Sequence, residues 1–549
     1  MWRTKKTKWL VALGLIVASG AVALWLIAML LARRIDPYIR EQAVLYLRSR
    51  FDSEVELASL RVWLPNTSAL RILLMGGRGS LARVEGEGIV LRHRGRRDIP
   101  PMFAMKDFRF DVDLGTLFGS QKRVTLVRLD GMEIHVPPKG ERPDLRGNNH
   151  DVTQHQPELG DDSSEPSVLI EEIRVRNAKL VILPRNIEKV PLQFDIYRLN
   201  LESVGPGIPM RYDATLTNPK PPGNIRSQGT FGPWSASEPD DTPLGGNYAF
   251  EEADLGVFKG ISGTLHSTGS FEGTLSSINA QGEASVPDFR LKRSGNPVPL
   301  LTRFEVLVDG TNGDTVLKPV TATLGTTDFT TSGAVIRHEG DGRRTIKLDV
   351  SMPKGNLPDI LRLAMKGPPI MEGQITLKTT IEIPPLSGTV REKLLLDGQF
   401  ELFNGKFLKS TIQDQIDSLS RRGRGQPKNE EIDEVVSLMG GAFNLENEVI
   451  TFRVLSFSVP GATVDLTGNY DLDRDVLDFH GKLKLQAKVS ETMTGWKRWI
   501  LKPVDPFFSK QGAGTLLSIQ IEGSSKQPKF GRDRGGNDEE EKVGSTQRR

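Results

Sequence analysis

The chain has 549 residues, with 72 Lys and Arg against 69 Asp and Glu and a formal net charge of +3. Charges of both signs are spread along it, which argues against a dedicated nucleic-acid binder, and the absence of cysteine excludes disulfides, thiolate metal sites and thiol nucleophiles. Fifty-five glycines, only 7% aromatic residues and no collagen period point to many short strands joined by turns.

Residues 1–8 form a basic tail with Arg3, Lys5, Lys6 and Lys8. Trp9–Ala32, WLVALGLIVASGAVALWLIAMLLA, carries no charge. As a helix rising ~1.5 Å per residue it would reach roughly 36 Å, enough to cross a ~30 Å hydrocarbon core. Ala21-Val22-Ala23 has the small residues of a cleavage site, but the apolar run continues well past the ~7–15 residues of a signal-peptide core. The stretch therefore reads as an uncleaved single-pass anchor, with Trp9, Leu10, Trp25 and Leu31 among its anchoring residues. The basic N-terminal flank favours a cytoplasmic N-terminus and an exported body.

Residues 33–137 open that body. Ile35–Phe51 predicts an amphipathic helix with Ile35, Ile39, Ala43, Leu45, Tyr46 and Phe51 on one face and Pro37 in its first turn. Alternation then predicts strands at Glu54–Leu57, Leu60–Leu64, Gly88–Arg92, Met105–Val112, Val124–Leu129 and Met132–Pro137. Residues 138–166, dense in Pro, Gly, Asn, Asp and Ser, read as a flexible loop. A central β-rich region, 167–400, carries strand patterns at Ile173–Val175, Leu180–Leu183, Leu192–Leu201, Tyr212–Leu216, Thr321–Leu324, Ile346–Met352 and Ile375–Ile383. Turn signals fall at 221–224, 309–313 and 339–342, and a short helix is expected at Asn356–Met365.

In residues 401–531, Ile412, Ile416 and Leu419, then Ile432, Val435, Val436 and Met439, predict helical stripes on either side of a basic break at 421–428. Strands follow at Ala442–Leu445, Val449–Val454, Thr463–Tyr470, Leu477–Val489 and Leu516–Glu522, and 532–549 reads as a disordered tail.

Chemistry-bearing motifs are scarce. The seven histidines form no HExxH, and neither GxSxG nor GxxxxGK[ST] occurs. His150 and His155 share the polar loop, Gly76–Gly79 lacks the strand-to-helix setting of a phosphate loop, and Asp471, Asp473 and Asp475 fit a hairpin connection better than a calcium loop. No catalytic, cofactor or metal site is expected, so the chain does not read as an enzyme. In Gly481–Val489, Lys482, Lys484, Gln486 and Lys488 alternate with Leu483, Leu485, Ala487 and Val489, giving one wet and one dry face. A closed sandwich and an open sheet with an apolar groove both fit that pattern. Trp496, Lys497, Trp499, Ile500, Phe507 and Phe508 have the composition of a membrane-interface contact, or of a short helix capping a sheet end.

Residues 454–472, VLSFSVPGATVDLTGNYDL, with Leu477–Gly481, GWKRWILKPVDPFFSKQGAGTLLSIQIEG and Pro528-Lys529-Phe530, resemble the C-terminal block of the AsmA-like proteins of double-membraned bacteria. Asp113–Phe118 and Val127–Gly131 are similar to the N-terminal pattern of that family. The resemblance implies a mostly β fold: a transmembrane helix followed by an elongated, U-shaped antiparallel sheet with a few peripheral helices. It also implies an inner-membrane protein with a periplasmic body, a phospholipid or other acyl-chain lipid as partner, and a part in phospholipid transport and outer-membrane homeostasis. Two other readings stay open. One is an assembly factor that engages outer-membrane assembly proteins by β-augmentation; the other is a structural envelope protein of closed sandwiches.

Overall fold

The computed structural model describes most of residues 53–136 and 167–486, residues 516–524 and 527–532, and scattered positions between 40 and 48. The tail 1–8, the anchor stretch 9–32, the loop 138–166, the 339–342 turn, Gly76–Gly79 and residues 533–549 lie outside the described residues. Among the described residues no helix is long and apolar enough to cross a membrane. Arg40, Glu41, Val44, Leu45 and Arg48 are helical, as Ile35–Phe51 predicts. The protein is mostly β and divides into two compact units, Met1–Ala249 and Phe250–Arg549.

The first unit is built from β1 (Ser53–Trp63), β2 (Leu81–His93), β3 (Phe103–Asp113), β4 (Gln121–Val136), β5 (Ser167–Ile182), β6 (Leu192–Val204), β7 (Met210–Pro219) and β8 (Pro222–Phe231); β9 (Pro243–Asp254) straddles the boundary. Each of β1 to β8 pairs with the next in sequence, antiparallel except for β4 and β5, which run parallel. A parallel neighbour requires the chain to return the length of β4 between Val136 and Ser167, which accounts for a long connection at this point.

Three pairs of predicted strands prove to be single long ones: β1, β4 and β5 each run through the break in alternation that separates their halves. The breaks line up. Ala58, Gly88, Lys106, Gly131, Asn177 and Tyr197 lie side by side across six strands, between the pairs Ser59↔Glu87 and Leu57↔Ile89, Glu87↔Asp107 and Ile89↔Met105, and so on. Gly88, Gly131 and Asn177 have φ of +65°, +64° and +52°. A residue in this conformation shifts the side-chain phase by one, so apolar residues stay on the same face on both sides of the crease. Above it stand Leu57, Ile89, Met105 and Met132; below it run Leu60, Gly86, Phe108, Leu129, Val175, Leu199 and Ala214. Val55, Leu57, Leu60, Ile89, Leu91 and Met105 form the core here, with Val44 of the helical segment packed against them.

The second unit continues with β10 (Ile261–Ser262), β11 (Thr264–Thr274), β12 (Ser277–Val286), β13 (Arg290–Leu291), β14 (Leu300–Val308), β15 (Thr315–Leu324), β16 (Thr327–Arg337), β17 (Arg344–Asn356) and β18 (Met371–Ile383). It ends with β19 (Leu395–Phe407), β20 (Ser437–Glu446), β21 (Val449–Val459), β22 (Ala462–Asp471), β23 (Val476–Leu485), β24 (Leu516–Ser524) and β25 (Gln527–Arg532). Apart from the small β10–β13 pair, every strand is an antiparallel neighbour of the next. Register shifts recur at every ladder from β14–β15 to β21–β22, and bulges of this kind bend strands, giving a curved sheet that does not close.

Two helices sit at one end of these strands. The first, α1 (Leu357–Ala364), matches the predicted Asn356–Met365, with a proline in its first turn. The second, α2 (Ser410–Gly423), matches the Ile412, Ile416 and Leu419 stripe. The predicted second stripe is corrected: Met439 lies in β20, and Val435 and Val436 in the irregular segment before it. Their spacing of three to four residues mimics a helix, but Val435 packs among Ile416, Leu419, Val459 and Leu485, and Met439 is paired with Leu402 and Phe457 in the ladder. Arg532 belongs to β25 rather than to the disordered tail. The Leu472–Asp475 turn joins β22 to β23 as a hairpin, with the Asp471 carboxylate accepting from the N–H groups of Asp473 (3.0 Å) and Arg474 (2.9 Å).

Candidate functional site

Register decides which side chains share a face. In the second unit one cross-strand row runs Phe271, Ala280, Val306, Leu317, Gly333, Leu348, Ile381, Leu396, Leu445, Ile450, Tyr470, Leu477 and Gly523, one residue from each of thirteen hydrogen-bonded strands. None of them is charged. At ~4.8 Å per strand, twelve steps make an apolar track about 58 Å long. The neighbouring row on the same face includes Val320, Thr331, Val350, Thr379, Gly398, Phe443, Phe452, Gly468, Phe479 and Ile521. Within it, Phe443 touches Phe452 (6.3 Å between centroids) and Phe452 meets Phe479 (5.7 Å) across Gly468, whose missing side chain leaves the gap the rings fill.

All members of the first row except Leu445 are half-buried rather than buried. In this unit the described strands other than β10 and β13 belong to one sheet, and each touches its ladder neighbours, with the helices at one end. The opposite face is wet. It carries Glu305 paired with Lys318, Arg303 with Glu283 (2.6 Å) and Lys347 with Glu382 (3.9 Å), and Lys318 holds the Glu305 carboxyl below the usual carboxylate range. In β23, Lys482 and Lys484 are exposed, Leu483 is half-buried and Leu485 buried, as the Gly481–Val489 alternation predicts.

The first unit repeats the division. Its wet face bears a charge lattice in which Arg61, Arg109, Arg128, Arg174 and Arg176 line a shallow depression together with Glu85, Glu87, Asp107 and Asp130. Arg174 clamps Glu172 through two bonds (2.6 and 2.7 Å), lowering that carboxyl, and Arg109 pairs with Glu85. Near-balanced charge makes this a solvated surface rather than an anion site. On the dry face, Tyr212 bonds Ser227 (3.1 Å), and burial raises its phenol above the ordinary value.

The dry face ends at a built rim. In α1, Leu357 packs with Met352, Met371, Ile375 and Leu402, joined by Ile360 and Leu361. Asp359, 2% exposed, fastens the helix: it accepts from the Thr326 N–H (2.9 Å) and hydroxyl (2.7 Å) and from the Thr327 hydroxyl (3.1 Å). The Asn296 amide donates to the carbonyls of Arg362, Met365 and Gly367 at the other end of α1. In α2, Gln413 accepts from the Phe407 N–H and donates to the Val435 carbonyl, each at 2.9 Å, while Ser420 donates to Pro460 (2.7 Å).

The anchor residues Trp9, Leu10, Trp25 and Leu31 and the interface residues Trp496, Lys497, Trp499, Ile500, Phe507 and Phe508 all lie outside the described residues, as do His150 and His155. Among the described residues no group of three or more His, Cys, Asp or Glu is placed to hold a metal ion. The dry-face rows were not named from sequence, because each bulge resets the alternation and only pairing restores it. No protein family, curated relative or solved structure matches the chain.

Proposed function

We propose that this chain is a membrane-anchored envelope protein, AsmA-like in kind, whose dry β face shields lipid acyl chains from water and so supports phospholipid transport and outer-membrane homeostasis. It acts without catalysis: apolar contact lacks directional bonds, so tails held this way are free to move along the track. The observation that carries the reading is the uncharged thirteen-strand row, half-buried along a sheet that curves without closing. An apolar sheet face of this extent must be covered by something, and monomeric surfaces rarely expose such patches. The anchor at 9–32 would fix the body to the inner membrane, and the Trp496–Phe508 segment would meet a bilayer interface.

The β-augmentation reading is less well supported. The Arg40 guanidinium donates to the Leu57 carbonyl of β1, and β25 is six residues long and carries Pro528 and Lys529. Short edges bearing Pro and Lys are the usual guards against strand addition. The test is lipid extraction from the full chain purified out of its native membrane in mild detergent. Phospholipid should co-purify in more than one copy per chain; a lipid-free protein that also fails to take up phospholipid from vesicles would overturn the proposal.

A further inference from the structure

We infer that the apolar trough of the second unit is one-sided: a bound lipid keeps its polar end at the hairpin rim, and its tails run along the strands toward a rim sealed by β10–β13, α1 and α2. This rests on the lipid-shielding reading above and adds an orientation and a depth to it. The connections at the two strand ends differ in kind. At one end lie the β10–β13 pair, α1 touching β13 and β18, and α2 touching β19, β21 and β22. Their apolar side chains close over the sheet in two clusters, one around Leu357, Met371 and Leu402 and one around Val435, Val459 and Leu485. Asp359, Asn296, Gln413 and Ser420 tie these elements down through side-chain hydrogen bonds, so this end is a fixed wall.

At the other end a four-residue helix, Val390–Lys393, lies between β18 and β19, and polar turns join other strands. Asp309 accepts from the backbone and hydroxyl of Thr311 and from the Asn312 amide, Arg344 reaches the carbonyls of Gly313 (2.6 Å) and Asn312 (3.0 Å), and Asp471 caps the Leu472–Asp475 turn. A headgroup needs hydrogen-bonding and charged partners, and burying it against the helix wall would strip it of water without replacement. Along β17, Ile346, Leu348 and Val350 lie on the open part of the dry face and Met352 enters the α1 cluster. At ~3.3 Å per residue that run spans about 20 Å. The wall thus sets a depth comparable to one extended fatty acyl chain, and the class of ligand it suits is a lipid with a single polar end.

The experiment replaces existing phenylalanines with the photo-crosslinker p-benzoylphenylalanine in the full chain, irradiates native membranes and quantifies phospholipid adducts by mass spectrometry. Phe271→p-benzoylphenylalanine and Phe443→p-benzoylphenylalanine probe the hairpin half, and Phe329→p-benzoylphenylalanine and Phe457→p-benzoylphenylalanine probe the helix half. Phe403→p-benzoylphenylalanine, on the wet face, sets the background; Phe407 replaces Phe329 if that variant does not accumulate. Adducts at the hairpin half at least tenfold above those at the helix half are expected. Equal adducts in both halves would overturn the one-sided trough while leaving the lipid reading intact. Adducts nowhere above the Phe403 background would overturn the lipid reading itself.

Discussion

Asp359 shows how one side chain decides whether the helix wall exists. Burial pushes its carboxyl up, but the Thr326 side chain and N–H, with Thr327 and Asn356, outweigh that push and hold it below the ordinary Asp value. The folded protein therefore binds this proton more weakly than the unfolded chain. The contribution is fully present above the unfolded value of ~3.9 and is lost as pH falls through the lower folded value. Asp359→Asn keeps the shape and one acceptor oxygen for Thr326 and Thr327, but it removes the negative charge that strengthens these bonds and turns the oxygen 3.7 Å from Arg362 into a donor. We expect a loss of about 1–3 kcal/mol in denaturant unfolding at neutral pH, and a smaller acid-induced loss below about pH 4 than in the parent. An unchanged unfolding midpoint would mean that α1 is held by its apolar contacts alone.

The crease in the first unit belongs to the scale of the element, since no single strand explains it. Gly131→Ala places a side chain in the left-handed region, and its Cβ would lie 2.8 Å from that of Lys106. A cost of about 1–2 kcal/mol is expected from the backbone conformation alone. Gly531→Ala, with nothing near the added carbon, should stay within about 0.5 kcal/mol. The same crease marks what was legible in the sequence. Alternation located the halves of β1, β4 and β5 correctly but could not join them, because the phase change at Ala58, Gly131 and Asn177 looks the same as a turn until the neighbouring strands show that all the changes are aligned. The α1 and α2 signals were readable because an amphipathic helix carries its period within itself. The QPKFGR sequence of β25 has no alternation at all; it is a strand only because β24 offers it an edge. The dry face was legible as a property of one strand, β23, and illegible as a thirteen-strand row, since pairing across bulges is not written in any one segment.

At the scale of the whole molecule, the question is whether the dry face is a working surface or merely an under-packed core, and adjacent residues on one strand can separate the two. In β15, Val316 points to the wet face and is 47% exposed, while Leu317 is half-buried in the apolar row between Val306 and Gly333. Leu348 occupies the same row two strands on, and Ile336, 51% exposed, stands on the wet face of β16. A carboxylate on the dry row would have to be stripped of water wherever a tail lies over it, at a cost of several kcal/mol, whereas one on the wet face stays solvated. Leu317→Glu combined with Leu348→Glu should therefore lower co-purified phospholipid at least twofold in the full chain. Val316→Glu combined with Ile336→Glu, an equal change in charge and apolar content, should leave it unchanged. Far-ultraviolet circular dichroism and protease resistance of both variants check that the sheet persists. If the dry-face variant keeps its fold and its full complement of lipid, tails do not lie on this row; if the wet-face variant loses lipid equally, net charge rather than the face governs retention. Loss confined to the dry-face variant with the sheet intact is the outcome that an open apolar track requires and an incidental packing defect does not.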